Sequence, residues 1–344
     1  MKPSTIYDVA REAGVSHQTV TRYLRGYEGI RDATKQRVEK AIARLEYRPN
    51  TAARQLRLRT TNRVAVLADR IGQGGPALIV RGVTERLQQR GYVSDIIAVD
   101  GQDLASVDAA IDLATEYQVA GILATAQTDI VLDRLRSRPI AVPMVIDAQI
   151  VDPISGELVG QLAGVEAAQH LLELGHRKIG YVAGPSGWLA TRDRQNGFVS
   201  TVEAAGATVA WVREGDWTGA SGYKAWQMLD EDARNITAIG VANDTMAMGI
   251  MAALSDDGRS VPDDVSVVGT DDTDEGRFVR PALTTVQLDF EDEGRQIAQR
   301  LVNAISDSRS GEGGGEAFDE VLHPPRLISR ASTSVVSELG RPGT

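Results

Sequence analysis

The chain has 344 residues, no cysteine, and 37 Lys or Arg against 47 Asp or Glu, a net charge of −10. Its 42% apolar content is enough for a substantial core and excludes a disordered chain, while the missing cysteines exclude disulfides and thiolate metal ligands. No window approaches the roughly 18 uninterrupted apolar residues of a membrane span, and no apolar leader opens the sequence, so a cytoplasmic protein without membrane contact is expected.

Residues 5–26, TIYDVAREAGVSHQTVTRYLRG, read as two short helices around a tight turn at Gly14. Thr5 and Asp8 have capping-box spacing, Ser16 can cap the second helix, and Val9, Val20 and Leu24 face a shared core. His17, Gln18, Thr21, Arg22 and Arg25 are left on the wet face, the side-chain types that major-groove reading uses. A third helix carries Val38, Ile42 and Leu45, with Ile30 and Tyr47 as lids, and Pro49 stops it. The next stretch, NTAARQLRLRTTN, is a marginal helix that could fold on binding. Residues 1–63 hold 14 basic and 6 acidic residues, a surplus of +8, and the remainder carries −18. A polyanion is therefore expected to meet the front of the chain alone.

From Arg63 apolar runs alternate with amphipathic helices. RVAVLAD, YVSDIIAVD, VAGILAT and AVPMVIDA read as strands, with helices from Pro76 and Asp103 and a further short one. After residue 160 the pattern restarts, with helices from Gly164, Thr191, Gly219 and Asp244 between strands KIGYVAGP, VAWV, AIGVAN and VSVVGTD. Two such sets imply two similar parallel-sheet α/β lobes with a ligand cleft at the carboxyl ends of their strands. LTTVQLD, a helix over 290–306 and strands near 320–330 are expected to cross back between the lobes. The stretch 307–317 reads as a loop, and the tail after Ser337 has no heptad pattern.

Together, IYDVAREAGVSHQTVTRYL, YRPNTAARQL, LGHRKIGYVAGP, VANDTMAMG, VPDDVSVVGTDD and RPALTTVQLD resemble the LacI family of bacterial transcription regulators, in order and over nearly the whole chain. REGDWTGASGY and SVVGTDDTDEGRF are most similar to its sugar-responsive members. The resemblance implies an all-α helix-turn-helix headpiece with a hinge helix, then a periplasmic-binding-protein-like α/β core. The corresponding boundaries are 1–48 for the headpiece, 49–61 for the hinge, 62–337 for the core and 338–344 for the tail. By the same likeness His17, Gln18 and Arg22 touch base edges, and Thr5, Ser16, Thr19 and Thr34 touch phosphates. Asn50, Ala53 and Leu56 belong to the DNA-binding set, Leu56 as the minor-groove wedge. Thr21 and Arg25 depart from the family's usual Ser and Asn. Asp69, Asp147, Arg194, Trp217, Asn243, Asp271 and Phe290 match effector-pocket positions, Trp217 and Phe290 as its aromatic walls. The implied protein is a homodimeric repressor of operator DNA, switched by a small molecule such as a sugar and using no metal or cofactor.

Rival chemistry is tested on spacing. Gly72-x-Gly74-x-x-Ala77 with Asp95 is a variant dinucleotide fingerprint, although Pro76 explains the turn by itself. GPSGW lacks the second glycine of a nucleophile elbow, the four histidines make no ligand pair, and Asp271, Asp272 and Asp274 lack EF-hand spacing. No enzyme is indicated. A regulator answering to a nucleobase or a partner protein, or a sugar-binding protein with no DNA role, are the remaining alternatives.

Overall fold

In this computed structural model, residues 4–24, 26–47, 61–125, 128–147, 151–152, 155–310 and 323–336 are described. The chain divides into two compact units, Met1–Thr61 and Asn62–Thr344.

In the first unit Thr5 caps α1 (Ile6–Ala13), and its N–H donates to Asp8 Oδ2 at 2.9 Å, closing a capping box. Gly14, at φ +62, ends that helix in the left-handed region that glycine tolerates. Ser16 Oγ accepts from Thr19 N at 3.2 Å and so starts α2 (His17–Leu24). With α3 (Asp32–Arg44) these helices bury Val9, Ala10, Ala13, Val20, Val38 and Ala41, with Tyr47 packed on top. Ile30 is only half-buried and lines a surface groove instead of the core. Arg25 and the hinge residues Asn50, Ala53 and Leu56 lie outside the described residues.

The second unit holds two sheets. The first, ordered β2-β1-β3-β4 and wholly parallel, comprises β1 (Arg63–Asp69), β2 (Val93–Val99), β3 (Gly121–Ala124) and β4 (Met144–Ile146). Helices α4 (Gly74–Gln89), α5 (Leu104–Glu116) and α6 (Asp129–Ser137) connect its strands. The second sheet draws on β5 (Lys178–Ala183), β6 (Thr208–Glu214), β7 (Ala238–Val241), β8 (Ser266–Asp271), β9 (Thr284–Gln287) and β10 (Arg326–Ile328). Its order is β10-β9-β8-β7-β5-β6, parallel except for β10, which runs antiparallel to β9. Helices α7 (Val159–Glu173), α8 (Leu189–Ala204), α9 (Gly219–Gln227) and α10 (Asp244–Asp256) cover it. After β9 the chain returns to the first lobe as α11 (Phe290–Ser310), packs on α4 and β3, and comes back as β10. The crossing back is as expected. The helix, however, runs four residues into the stretch read as a loop, where Ser306 and Ser310 hydroxyls bond to carbonyls a turn earlier.

Three helix pairs use one device. Gly82 of α4 and Gly294 of α11, Gly164 of α7 and Gly197 of α8, and Gly222 of α9 and Gly249 of α10 face backbone of the opposite helix. An added Cβ at any of the six would overlap a carbonyl oxygen of the partner helix, far inside van der Waals contact. Close backbone approach, not side-chain interdigitation, sets these crossings. Gly164→Ala should therefore lower the unfolding free energy by about 3 kcal/mol, the upper range for overpacking, read as an earlier urea midpoint.

A buried carboxyl ties the second lobe's cleft end together. Asp244, fully buried at the start of α10, accepts from Thr273 N at 2.8 Å, Thr273 Oγ1 at 3.2 Å and Thr285 Oγ1 at 2.5 Å. Burial, with Asp271 nearby, pushes its carboxyl up to about 7, against the lowering hydrogen bonds of Thr285 and Thr273. Between the ordinary carboxylate value of 3.8 and about 7 the folded state thus binds a proton that the unfolded chain has released. Stability contributed by this group falls as pH rises through that window. Asp244→Asn should gain on the parent as pH is raised from 4 to 8, by on the order of 1.4 kcal/mol per unit within the window. Urea unfolding of both proteins across that range checks this, and parallel pH profiles would rule it out.

Candidate functional site

On the three-helix unit the groove beside α2 and α3, about 370 Å³, gathers Ser16, Thr19, Arg22 and Thr34 with Arg31 and Arg37. The last two were not singled out in the sequence, since basic residues on a helix are ordinarily just a solvated face. The Ser16 and Thr19 hydroxyls lie 3.0 Å apart, and the Arg22 guanidinium stands 5.6 Å from the Tyr27 ring centroid. His17 and Gln18 are exposed at the first turn of α2, and the His17 ring lies 5.3 Å from that of the exposed Tyr7. Thr5 is not in the groove; its hydroxyl bonds Asp8 Oδ2 at 2.7 Å. Hydroxyls interleaved with guanidinium groups suit phosphate oxygens, and a free helix face suits base edges.

In the two-lobed unit a cavity of about 620 Å³ opens where strands of both sheets end. This is the position that parallel α/β topology favours for ligands. Arg194, Trp217, Asn243, Asp271 and Phe290 all line it. Arg194, on α8, is 6% exposed; its Nη1 donates to the Ala242 carbonyl and, at 3.1 Å, to Asp271 Oδ1. Burial lifts the Asp271 carboxyl to about 6, and Arg194 opposes the rise. Asp271 sits at φ +118 and Trp217 at φ +71, both unusual for residues with side chains. Asn243 holds the strained Trp217 segment, since its Nδ2 donates to Trp217 O at 3.1 Å while its Oδ1 caps α10 through Met246 N at 2.9 Å. Most of the Asn243 amide is therefore occupied in positioning.

Asp69 and Asp147 do not line the cavity. Asp69 accepts from Gly101 N at 3.2 Å and pins the loop after β2 to the end of β1; burial raises its carboxyl. Asp147 is buried and hydrogen-bonded to Glu293 of α11, whose carboxyl is held well above the carboxylate range by burial and then by Asp147.

Sequence reasoning missed Glu293, and it missed Trp188 at the start of α8. Trp188 lines the cavity, and its ring lies 5.8 Å from that of Trp217 at 65°. Four buried polar atoms at this end have no hydrogen-bond partner: Trp188 Nε1, Trp217 Nε1, Arg194 Nε and Thr191 Oγ1. An unmatched buried donor costs roughly 1–3 kcal/mol, so this end of the lobe carries a local energetic cost.

The dinucleotide reading fails on register. Asp95 pairs with Ala65 near the start of β1 and binds Arg63 Nε at 2.6 Å. It therefore sits four residues, about 13 Å of strand, from the end of β1 where the glycine loop begins. Asp272 accepts from Arg277 and Gln287, each at 3.1 Å, and from Arg330, a structural junction.

Known proteins carry the same two parts. Residues 5–50 match the family described as bacterial regulatory proteins, lacI family, and residues 168–333 match the periplasmic binding protein-like domain. The lactose operon repressor of Escherichia coli is 33% identical over 279 residues, covering 79% of this chain and 77% of that protein. The HTH-type transcriptional repressor PurR of Haemophilus influenzae is 30% identical over 344 residues, covering 97% and 99%. The crystal structure of the Lac repressor dimer bound to operator and the anti-inducer ONPF superposes with a TM-score of 0.82 at 30% identity, covering 97% of this chain and all of that one. The headpiece helices, the two parallel-sheet lobes and the cleft end of their strands thus recur in proteins of one kind, and the chain belongs to the LacI family of DNA-binding transcriptional repressors.

Proposed function

We propose that this repressor is sugar-responsive and works in the cytoplasm as a homodimer on a near-palindromic operator. The observation that carries the sugar reading is the cavity end where Arg194 and Asp271 meet the Trp217 indole. The Arg194 guanidinium lies 5.8 Å from that ring centroid, with its Nε unmatched. A pyranose offers what such a corner lacks: hydroxyl oxygens for the buried N–H groups, hydroxyl protons for Asp271, and an apolar C–H face for the indole. Phe290 supplies an aromatic surface on the first-lobe side, and Asn243 positions the Trp217 segment. Asp69 and Asp147 act behind the wall, holding the strand ends of the first lobe.

The DNA half divides into residues 1–48, which read, and 49–61, which link. Arg22 suits guanine O6 and N7, Gln18 suits adenine N6 and N7, and His17 reads less sharply. Ser16, Thr19 and Thr34 contact phosphates along the groove, where Arg31 and Arg37 add charge; Thr5 does so from the first helix end. Asn50, Ala53 and Leu56 enter the minor groove, with Leu56 as the wedge. The core 62–337 carries the effector and the dimer contacts, and 338–344 is a tail. Effector binding shifts the balance between two core arrangements with different operator affinity, a coupling of about 1–3 kcal/mol.

The test uses the full chain and an operator selected from random duplexes, with binding read by fluorescence anisotropy. Arg22→Ala should weaken binding roughly ten- to hundredfold and relax preference at one base pair, the worth of a bidentate base contact. Thr34→Ala should weaken all duplexes alike. Added lactose, galactose or glucose should change operator affinity, and Arg194→Ala should remove that response. A response to hypoxanthine or guanine with none to any sugar would overturn the sugar reading.

A further inference from the structure

We propose that Arg70 is a latch between the two lobes of the core, one side chain that holds their seam shut and so weights operator affinity when no effector is bound. Such a latch needs only the DNA-binding role of the chain and is independent of the sugar reading of the cavity.

Arg70 follows β1 at φ +48, in the left-handed region that a residue with a Cβ seldom occupies. Its carbonyl accepts from Gln73 N at 2.9 Å, closing a turn that glycine would make without strain. Strained backbone of this kind persists only where the surroundings hold it, and it collects at switch segments. Here the holding groups lie across the seam. The guanidinium stands 5.6 Å from the Trp188 ring centroid, and Nη1 donates to Asp216 O at 3.5 Å. Both partners belong to the second lobe, Trp188 at the start of α8 and Asp216 between β6 and α9. The Asp216 carboxyl is held below its ordinary value first by the Thr218 hydroxyl, and the Arg70 charge adds to the lowering.

Position gives these weak contacts their leverage. Residues 72–77, just after Arg70, line the cavity from the first lobe, while Trp188 opens the helix that carries Arg194. Trp188 is gripped a second time through a backbone bridge to Thr128 of the first lobe, beside Asp129 N, which donates to Gly187 O at 3.4 Å. A ligand that displaces the 72–77 loop carries Arg70 with it and unloads one of the two grips on Trp188. Contacts this weak yield to small differences in binding, as a two-state element requires.

The experiment uses the full chain without effector, with hydrogen exchange read by mass spectrometry and operator binding by anisotropy. Arg70→Ala should speed exchange roughly fivefold or more in peptides covering residues 128–131 and 186–190, leave β7 at the parent rate, and shift operator affinity threefold or more. Arg70→Gly, which accepts the same φ without strain, should behave alike, because the side chain and not the backbone makes the latch. Arg70→Lys should fall between the parent and Arg70→Ala, since an ammonium keeps the charge but lacks the flat face. Arg136→Ala, which removes an exposed cation elsewhere on the first lobe, should change neither measurement. Seam exchange unmoved in Arg70→Ala and Arg70→Gly, or operator affinity unmoved despite faster exchange, overturns the latch. Faster exchange throughout the second sheet, β7 included, overturns it too, since Arg70 would then support the fold at large. Failure of every sugar to bind would remove the sugar reading and leave these outcomes as they are.

Discussion

A buried guanidinium organises the cleft. Arg194 bonds to the carbonyl that follows β7 and to the carboxylate that ends β8, and it stands against the Trp217 ring. A charge held at 6% exposure loses its hydration, and a single carboxylate partner seldom repays that cost in stability. Its return is geometric: one planar group fixes two strand ends and an aromatic wall together. The positive φ angles at Trp217 and Asp271 fall on either side of this group, where surrounding contacts can hold strained backbone.

The same corner is stitched to the first lobe by contacts of modest strength. Arg192 pairs with Asp129 at 3.1 Å with both side chains half exposed, a geometry worth little in water. Thr128 and Trp188 form one isolated bridge, Asp129 N reaches Gly187 O at 3.4 Å, and Arg70 reaches Asp216 O. By contrast, the helix pairs within each lobe are locked by glycine-to-backbone contact and tolerate little sliding. Stiff lobes with a weak seam are what a ligand needs in order to change their relation, because small differential contacts then decide between arrangements.

Legibility in the sequence followed the chemistry of helix ends. Helices capped by Asp103, Thr218 and Asn243, whose side chains accept a first-turn N–H, could be placed from the residues alone. Helices α7 and α8 start at Val159 and Leu189, earlier than the sequence suggests, because Leu158 and Trp188 cap them without a side-chain bond. That is also why Trp188 went unnoticed as a cavity residue: an apolar residue after a strand looks like core until topology sets it opposite Trp217. Arg194, Asn243 and Asp271 were legible through resemblance, since spacing alone cannot bring together three residues so far apart in sequence. Asp69 and Asp147 sat at strand ends as expected, but each found a nearer partner, Gly101 N for one and Glu293 for the other. Nothing in an amphipathic helix marks Glu293 as the residue that would turn inward.

The charges around the cleft constrain what can occupy it. Among the described residues that line it Arg194 is the one cation, and Asp271 already holds it. Burial and Asp147 hold the Glu293 carboxyl well above the carboxylate range, with Arg194 opposing the rise. With Arg194 engaged and Asp271 and Glu275 also on the lining, the cavity itself offers little net positive charge to an anionic ligand. A neutral polyol meets no such constraint. The acidic body of the chain and its basic front thus divide the charge, and the positive surplus is confined to the DNA-binding end.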